Sequence, residues 1–256
     1  MLGAITGDII GSIYEGTNFK SREFPLFGPG CHFTDDTVLT VALADAILNE
    51  EDYGQVMKRY FARYPYAGYG GSFQRWASSP DSEPYNSWGD GSAMRTSAVG
   101  YTFDTLNEVL EKAEHYASFT HNHPEGIKGA QATSTAIFLA RIGESKAEIR
   151  SYITDRFHYD MTKTIDEIRP DYSFDVSCQG TVPQAITAFL ESLDYEDAIR
   201  NAISIGGDSD TIACITGGIA EAYYGGLPDD IAETAMNLLN KDLRTIVTRF
   251  YAAYIN

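Results

Sequence analysis

The stretch G-G-D-S-D-T-I-A-C-I-T-G-G-I-A-E-A-Y-Y at 206–224 joins an acidic cluster to an apolar run. From Thr211 onward, the apolar residues recur at the spacing of one helix face. The same spacing recurs along most of the chain, at 38–48 and at about 104–117, 126–142, 146–157, 181–193, 195–204, 229–239 and 241–254. Because runs of alternating apolar and polar residues are almost absent, we predict an all-α fold.

The chain has 256 residues, which is long enough to bury a sizeable core. Connections such as Gly225–Pro228 are short, and no stretch resembles an interdomain linker, so we expect a single domain over 1–256. One segment, 64–91, is rich in Gly, Pro, Ser and aromatic residues. Long loops in compact domains are often functional. We predict an ordered loop here, with a helical turn near 72–78.

The net charge is −17, from 36 acidic against 19 basic side chains. Sequence-independent binding to nucleic acid or to an anionic membrane needs clustered basic residues, so we expect neither. No apolar run is long enough to span a bilayer, and the first residues do not resemble a secretion signal. The three cysteines form no C-x-x-C pair. These features predict a cytoplasmic protein, and the acid excess makes bound cations the first chemistry to seek.

Two acidic clusters each directly precede a predicted helix, at Thr34–Thr37 and at Gly206–Thr211. Helix capping by Asp, Ser and Thr would explain either cluster alone. Carboxylates that are packed together repel each other unless a cation neutralises them, and oxygen-only ligands suit Mg²⁺ or Mn²⁺. If the two helix N-termini face each other, the clusters form a site for two metal ions.

Five motifs follow one another along the chain: G-D-I-I-G-S-I-Y-E at 7–15, F-T-D-D-T at 33–37, G-D-G-S-A-M-R at 89–95, T-H-N-H-P at 120–124 and G-G-D-S-D-T at 206–211. Together they resemble the ADP-ribosylglycohydrolase family, which includes the dinitrogenase reductase-activating glycohydrolase. The resemblance spans nearly the whole chain. It implies a compact multi-helix all-α bundle with a central cleft that holds two Mg²⁺ or Mn²⁺ ions.

Carried over residue by residue, the resemblance implies two sets of metal ligands with one bridging aspartate. The first set is Thr34, Asp35 and Asp36, and the second is Asp208, Asp210 and Thr211. Glu15 matches the family's glutamate near the metals and the scissile bond, so Glu15, Asp36 and Asp208 are the expected catalytic residues. For Asp8, in the same motif as Glu15, we expect a capping or supporting role.

The resemblance also implies a substrate-binding side. The turn Gly89–Ser92, made of Gly89, Asp90, Gly91 and Ser92, resembles the family's diphosphate-binding loop, whose N–H groups can cradle phosphate. The family commonly has Asn where this chain has Asp90, so we expect the Asp90 carboxylate to point away. His121 is expected to hydrogen-bond the ribose or pyrophosphate. Tyr85 and Trp88 are candidates to stack on adenine.

For Arg95, contact with phosphate and pairing with a surface acid both remain open. The expected function is metal-dependent hydrolysis of the ribosyl C1 bond of an ADP-ribosylated substrate, such as a modified protein side chain. Two alternatives remain at this stage: hydrolysis of a small ADP-ribose derivative such as an O-acyl ester, and a non-catalytic ADP-ribose-binding or structural relative.

Overall fold

A computed structural model describes residues 1–80 and 83–255. Over these residues the chain forms fifteen helices, and the only bridge between extended segments is an isolated one joining Gly89 to Ser177. The helices are α1 (Leu2–Gly11), α2 (Asp35–Asn49), α3 (Tyr53–Arg63), α4 (Gly71–Ser78), α5 (Gly91–Met94), α6 (Ser97–Thr102), α7 (Leu106–Ala117), α8 (Pro124–Arg141), α9 (Lys146–Phe157), α10 (Ile165–Ile168), α11 (Cys178–Leu190), α12 (Tyr195–Ile205), α13 (Ser209–Tyr224), α14 (Asp229–Leu238) and α15 (Lys241–Tyr254).

The all-α prediction is confirmed, and each predicted apolar face lies on a helix. Helix α1 is the main element that the periodicity misses. Every one of its residues is buried, so it has no polar face against which an apolar face stands out. The helical turn expected near 72–78 is α4. Two residues of the loop predicted over 64–91, Asp81 and Ser82, lie outside the described residues, as does Asn256 at the end of the predicted domain.

Helices α1 and α13 pack backbone to backbone at the centre of the fold. A methyl group on Gly7 would overlap the carbonyl of Ala213, and one on Gly11 would overlap the backbone of Asp210. At the other end of the pair, a methyl group on Gly3 would overlap the carbonyl of Gly217. Small residues thus let the two helices approach closely, and this approach places the end of α1 beside the start of α13.

Buried apolar side chains from these helices form one continuous cluster, which includes Ile5, Leu39, Ile137, Phe189 and Ile215. Helices α2, α8, α11 and α12 surround the α1–α13 pair. None of the described helices combines the length and the apolar composition that a membrane span requires. The N-terminal ends of α2 and α13 meet at the head of this central pair.

Candidate active site

A cleft of about 460 Å³ opens at the N-terminal ends of α2 and α13. Twelve of the residues predicted for the site line it: Glu15, Thr34, Asp35, Asp36, Tyr85, Gly89, Asp90, Gly91, His121, Asp208, Asp210 and Thr211. The cleft is within the size range of small-molecule sites. Both acidic clusters and the glycine turn therefore share one cavity, although the sequence alone did not show that they meet.

Asp8 organises the first acidic cluster. Its carboxylate accepts hydrogen bonds from the backbone N–H groups of Thr34 and Thr37, at 2.9 and 3.0 Å, and from both threonine hydroxyl groups. Thr34 in turn is the N-cap of α2 and accepts from the N–H of Asp36 at 3.3 Å. Because these bonds engage both oxygens of Asp8, this buried residue fits the supporting role expected from the sequence.

A turn of two glycines leads directly into the second acidic cluster. Gly206 and Gly207 have φ values of +77° and +73°, which other residues rarely adopt. A methyl group on Gly207 would also press on the ring of Tyr172. Asp208 occupies the N-cap position of α13, yet its side chain makes no capping hydrogen bond. Capping therefore does not account for Asp208, whose carboxylate faces the cleft instead.

The carboxylates lie in two groups whose oxygens are within 4.8 Å of one another. One group is Asp8, Asp36 and Asp210, all buried. The other is Glu15, Asp208 and Asp210, in which only Glu15 is exposed. Asp210 belongs to both groups, so its carboxylate stands between the two.

Burial and mutual repulsion raise the pKa values of these carboxyl groups. For Asp36 the pKa is raised well above its usual range by burial first, and then by the charges of Asp8 and Asp210. Burial is also the largest cause for Asp35 and Asp208, whose pKa values are likewise raised well above the usual range. The pKa of Asp210 rises to about 7, again chiefly through burial. Such a cluster is unfavourable as bare anions and favours a bound cation.

The donor set fits a hard divalent cation. One oxygen of Asp36, Oδ1, is buried without a hydrogen-bond partner, which is unusual for a carboxylate. The hydroxyl of Thr211 is 3.5 Å from the other oxygen of Asp36. The carboxylate and hydroxyl oxygens at this point are the donors that Mg²⁺ and Mn²⁺ prefer, and Met94 Sδ lies 3.9 Å from the Thr211 hydroxyl. The acidic residues of the cleft could therefore hold metal ions.

The glycine turn at 89–91 also lines the cleft. Two of its N–H groups are already engaged, since Gly89 donates to Ser87 and Asp90 donates to the carbonyl of Val176. Within residues 1–80 and 83–255, the N–H groups of Gly91 and Ser92 have no acceptor. The Ser92 hydroxyl points inward and donates to the carbonyl of Gly126 at 2.7 Å.

Asp90, whose carboxylate was expected to point away, lines the cleft, and its charge contributes to the raised pKa of Asp208. The Asp90 carboxylate accepts a hydrogen bond from the hydroxyl of Thr181 on α11 at 2.6 Å. Burial raises the pKa of Asp90 to about 6, and that hydrogen bond opposes the rise.

Arg95 is a residue whose environment the sequence did not predict. Pairing with a surface acid is ruled out, because Arg95 is buried, lines the cleft and has no ion-pair partner among the described residues. Its guanidinium donates to the hydroxyl of Thr120 at 2.6 Å. The only hint in the sequence is its place directly after the glycine turn.

Tyr85 and Trp88, the two aromatic candidates for adenine stacking, differ in position. Tyr85 lines the cleft, whereas Trp88 is half-exposed and does not line it. Phe174 and Val176, which the sequence analysis did not single out, are half-exposed and line the cleft beside the glycine turn. They reach it because the bridge from Gly89 to Ser177 brings their segment alongside the turn. Nothing in the local sequence marks this long-range pairing.

Comparisons with known proteins support one family. The family model described as ADP-ribosylglycohydrolase matches residues 1–255. The chain is 27% identical over 305 residues to ADP-ribosylhydrolase ARH3 of Homo sapiens, covering 88% of this chain and 84% of that protein. It is 27% identical over 296 residues to a putative ADP-ribosyl glycohydrolase of Acanthamoeba polyphaga mimivirus, covering 93% and 89%.

A solved structure titled "ADP-ribosylglycohydrolase-related protein complex" has the same fold. It matches with a TM-score of 0.76 and 23% identity, covering 98% of this chain and 96% of that one. The family match spans nearly all of this chain, and the family consists of glycosidic-bond hydrolases. The chain therefore belongs to the ADP-ribosylglycohydrolase family.

Proposed function

We propose that this enzyme hydrolyses the bond at ribose C1 of an ADP-ribosylated substrate and releases ADP-ribose, with two Mg²⁺ or Mn²⁺ ions in the cleft. One observation carries the proposal: the two acidic groups share Asp210 and lie in the same cavity as the glycine turn. A ribose held between them would have its anomeric carbon near the acids and its diphosphate near the turn.

Six residues would hold the ions: Thr34, Asp35 and Asp36 on one side, Asp208 and Thr211 on the other, and Asp210 between them. When bound, two divalent cations supply positive charge that orients ribose hydroxyl groups and lowers the pKa of a nearby water molecule. Asp8 holds Thr34 and the start of α2 in place. The shared position of Asp210 in both acidic groups supports its assignment as the bridging ligand.

We assign the proton transfer in this hydrolysis to Glu15. Its carboxylate is exposed at the mouth of the cleft and lies within 4.8 Å of carboxylate oxygens of Asp208 and Asp210. In the reaction, a bond forms between water oxygen and C1, the bond from C1 to the leaving group breaks, and the water's proton passes to the leaving group. A carboxylate at this point can accept that proton and return it.

The other end of the cleft suits the ADP portion. The free N–H groups of Gly91 and Ser92 can donate to phosphate oxygens, and His121 lies next to the turn. The Thr181 hydroxyl donates a hydrogen bond to the carboxylate of Asp90, which partly offsets the charge of that carboxylate near the diphosphate. Tyr85, with Phe174 beside the turn, offers an aromatic surface for adenine.

The open mouth supports a modified protein side chain as the acceptor. Tyr66 and Glu15 both line the cleft and are exposed, Tyr66 at 99%. The N–H of Asp35 donates to the carbonyl of Ala67 at 2.7 Å, which ties the Tyr66 segment to the start of α2. The acid-lined part of the cleft therefore has an exposed rim. A substrate side chain that projects from a large protein could enter there.

A panel of ADP-ribosylated substrates with defined linkages tests the proposal. The panel includes peptides modified at arginine, serine and glutamate and a free O-acyl-ADP-ribose, each with Mg²⁺, with Mn²⁺ and with EDTA. We expect metal-dependent release of ADP-ribose from at least one modified peptide. Release from the O-acyl ester alone would replace the protein substrate by a small one. Absence of release from every compound, with ADP-ribose still bound, would make the protein a non-catalytic ADP-ribose binder.

A further inference from the structure

A buried chain of polar groups runs from Arg95 through Thr120 to His121, behind the glycine turn. Arg95 Nη2 donates to Thr120 Oγ1 at 2.6 Å, and Thr120 Oγ1 lies 2.8 Å from His121 Nδ1. All three side chains are buried, with exposed fractions of 2%, 0% and 5%. Neither metal binding nor the proton transfer assigned to Glu15 requires these three residues to be hydrogen-bonded to each other.

The hydrogen-bonding capacity of Thr120 decides which way its proton points. A hydroxyl has one proton and two lone pairs. The Arg95 guanidinium can only donate, so it fills one lone pair of Thr120. Among the described residues, the only other side-chain atom within hydrogen-bond distance of Thr120 Oγ1 is Nδ1 of His121. Buried hydroxyl protons are rarely left without an acceptor, so the proton of Thr120 points to Nδ1 of His121, which accepts it.

His121 is held in its neutral form by the same surroundings. Burial lowers the pKa of His121 well below its usual range, and the nearby charge of Arg95 lowers the pKa further. A neutral imidazole carries one proton, so a ring whose Nδ1 accepts a hydrogen bond carries that proton on Nε2.

Nε2 faces the glycine turn. It would lie 3.3 Å from a methyl group built on Gly91 and 3.8 Å from one built on Gly89. Over residues 1–80 and 83–255, Nε2 has no hydrogen-bond partner of its own. An N–H at this place adds to the free N–H groups of Gly91 and Ser92, whereas a lone pair there would repel a phosphate oxygen.

We propose that Thr120 and Arg95 are positioning residues that fix the tautomer of His121, so that Nε2–H is a permanent neutral donor to the diphosphate of the bound substrate. The proposal rests on the proposed function for the identity of the ligand. The assignment of the proton to Nε2 is a property of the free protein and does not depend on any ligand.

Two measurements test the proposal on the intact protein. ¹⁵N NMR of the ring nitrogens reports the tautomer of His121 directly, and calorimetry with ADP-ribose in the presence of Mg²⁺ reports binding. We expect the wild-type ring to carry its proton on Nε2 and to accept a hydrogen bond at Nδ1. Thr120→Val keeps the shape of the side chain but removes the hydroxyl. The Nδ1 signal should then lose its hydrogen-bond shift, and ADP-ribose should bind about tenfold more weakly.

Thr120→Ser is the matched control, because it restores the hydroxyl and should restore both the Nδ1 signal and the affinity. Circular dichroism of each variant checks that the fold is retained. A wild-type ring with its proton on Nδ1 would overturn the proposal, as would unchanged ADP-ribose affinity in Thr120→Val. A protein that binds no ADP-ribose at all but shows the Nε2 tautomer would overturn the proposed function and leave the tautomer assignment standing.

Discussion

At the scale of single residues, the cleft brings together carboxylates whose mutual repulsion a bound cation would relieve. Asp36 is 2% exposed, and one of its oxygens has no partner. Its neighbours Asp8 and Asp210 are also acidic and raise its pKa further. Leaving a buried acceptor unsatisfied is usually destabilising, so these residues are kept at the expense of stability in the metal-free protein.

Replacing Asp36 by Asn should therefore have opposite effects on stability and on metal response. We expect the melting temperature of the metal-free variant to rise by a few degrees at pH 8, since one of the mutually repelling acids is gone. The stabilisation that Mg²⁺ confers on the wild type should be largely lost. Thermal denaturation with EDTA and with Mg²⁺ measures both effects. Asp171→Asn, at an exposed site, is the control, and a full Mg²⁺ response in Asp36→Asn would contradict the site.

Glu15 differs from the other acids because it is exposed at the mouth. We expect Glu15→Gln to lower kcat by at least about 10²-fold while metal binding persists, because a general acid–base residue contributes about 10²–10⁴-fold. Turnover of the best substrate of the panel and a Mg²⁺ titration monitored by melting temperature measure the two effects. Glu23→Gln, also exposed and eight positions along, should keep normal turnover. Equal activity in both variants would remove Glu15 from the mechanism.

At the scale of elements, the contact between α1 and α13 positions the chemistry. Asp8 lies on α1, Asp210 lies in the first turn of α13, and the backbone of Gly11 touches that of Asp210. A side chain larger than hydrogen at this contact would separate the two helices. The glycines of α1 are therefore part of the site, although they carry no reactive group.

Two neighbouring glycines on α13 test this contact. A methyl group on Gly217 would overlap the carbonyl of Gly3, whereas one on Gly218 would meet its nearest neighbour at an ordinary 3.4 Å. We expect Gly217→Ala to lower the free energy of unfolding by about 1–3 kcal/mol through overpacking. Gly218→Ala should be neutral or slightly stabilising, because alanine favours helix. Urea denaturation of both variants measures this difference, and equal stability would show that α1 and α13 are not so closely packed.

At the scale of the whole molecule, the acid excess divides into a dispersed surface charge and one concentrated cleft. The carboxyl groups in the cleft make the stability of the metal-free protein depend on pH. Acids whose pKa is raised on folding bind more protons in the folded state than in the unfolded state. They lower the stability of the metal-free protein as pH rises from their unfolded value near 4 through their folded values. Above the folded values, about 7 for Asp210, this loss is complete.

Protons and metal ions should therefore compete for the cleft. We expect Mg²⁺ to raise the melting temperature by several degrees at pH 8 and by much less at pH 5, where these carboxyl groups are protonated. Differential scanning calorimetry at the two pH values, with Mg²⁺ and with EDTA, gives the comparison. Equal shifts at pH 5 and pH 8 would mean that the ions bind somewhere other than this cluster.

The same charge should govern substrate binding. Without metal, six acids line the cleft that an anionic ligand would enter, namely Glu15, Asp35, Asp36, Asp90, Asp208 and Asp210. We expect Mg²⁺ to strengthen ADP-ribose binding at least about tenfold relative to EDTA, because the cations cancel most of this repulsion. Isothermal titration calorimetry measures the ratio, with adenosine as a control ligand that carries no phosphate. An equal metal effect on both ligands would show that charge repulsion is not the cause.

The sequence by itself determined the helical class, and it predicted the residue types of the site. Helical spacing is local information, and so is the placement of Asp36 and Asp208 at helix starts, which is why both could be predicted. The supporting role of Asp8 stays a prediction, although its hydrogen bonds to Thr34 and Thr37 agree with it. That the whole chain forms a single domain stays a prediction.

Only the tertiary structure decided which of these residues meet. Asp36 and Thr211 are 175 positions apart, and their contact joins the start of α2 to the start of α13. Similar long-range contacts place Asp210 in both acidic groups and bring Phe174 to the cleft. They also form the chain of hydrogen bonds from Arg95 to His121. Local patterns carry no distances between remote segments. Those distances follow from how buried surfaces fit together, and here they follow from glycines that let two helices touch.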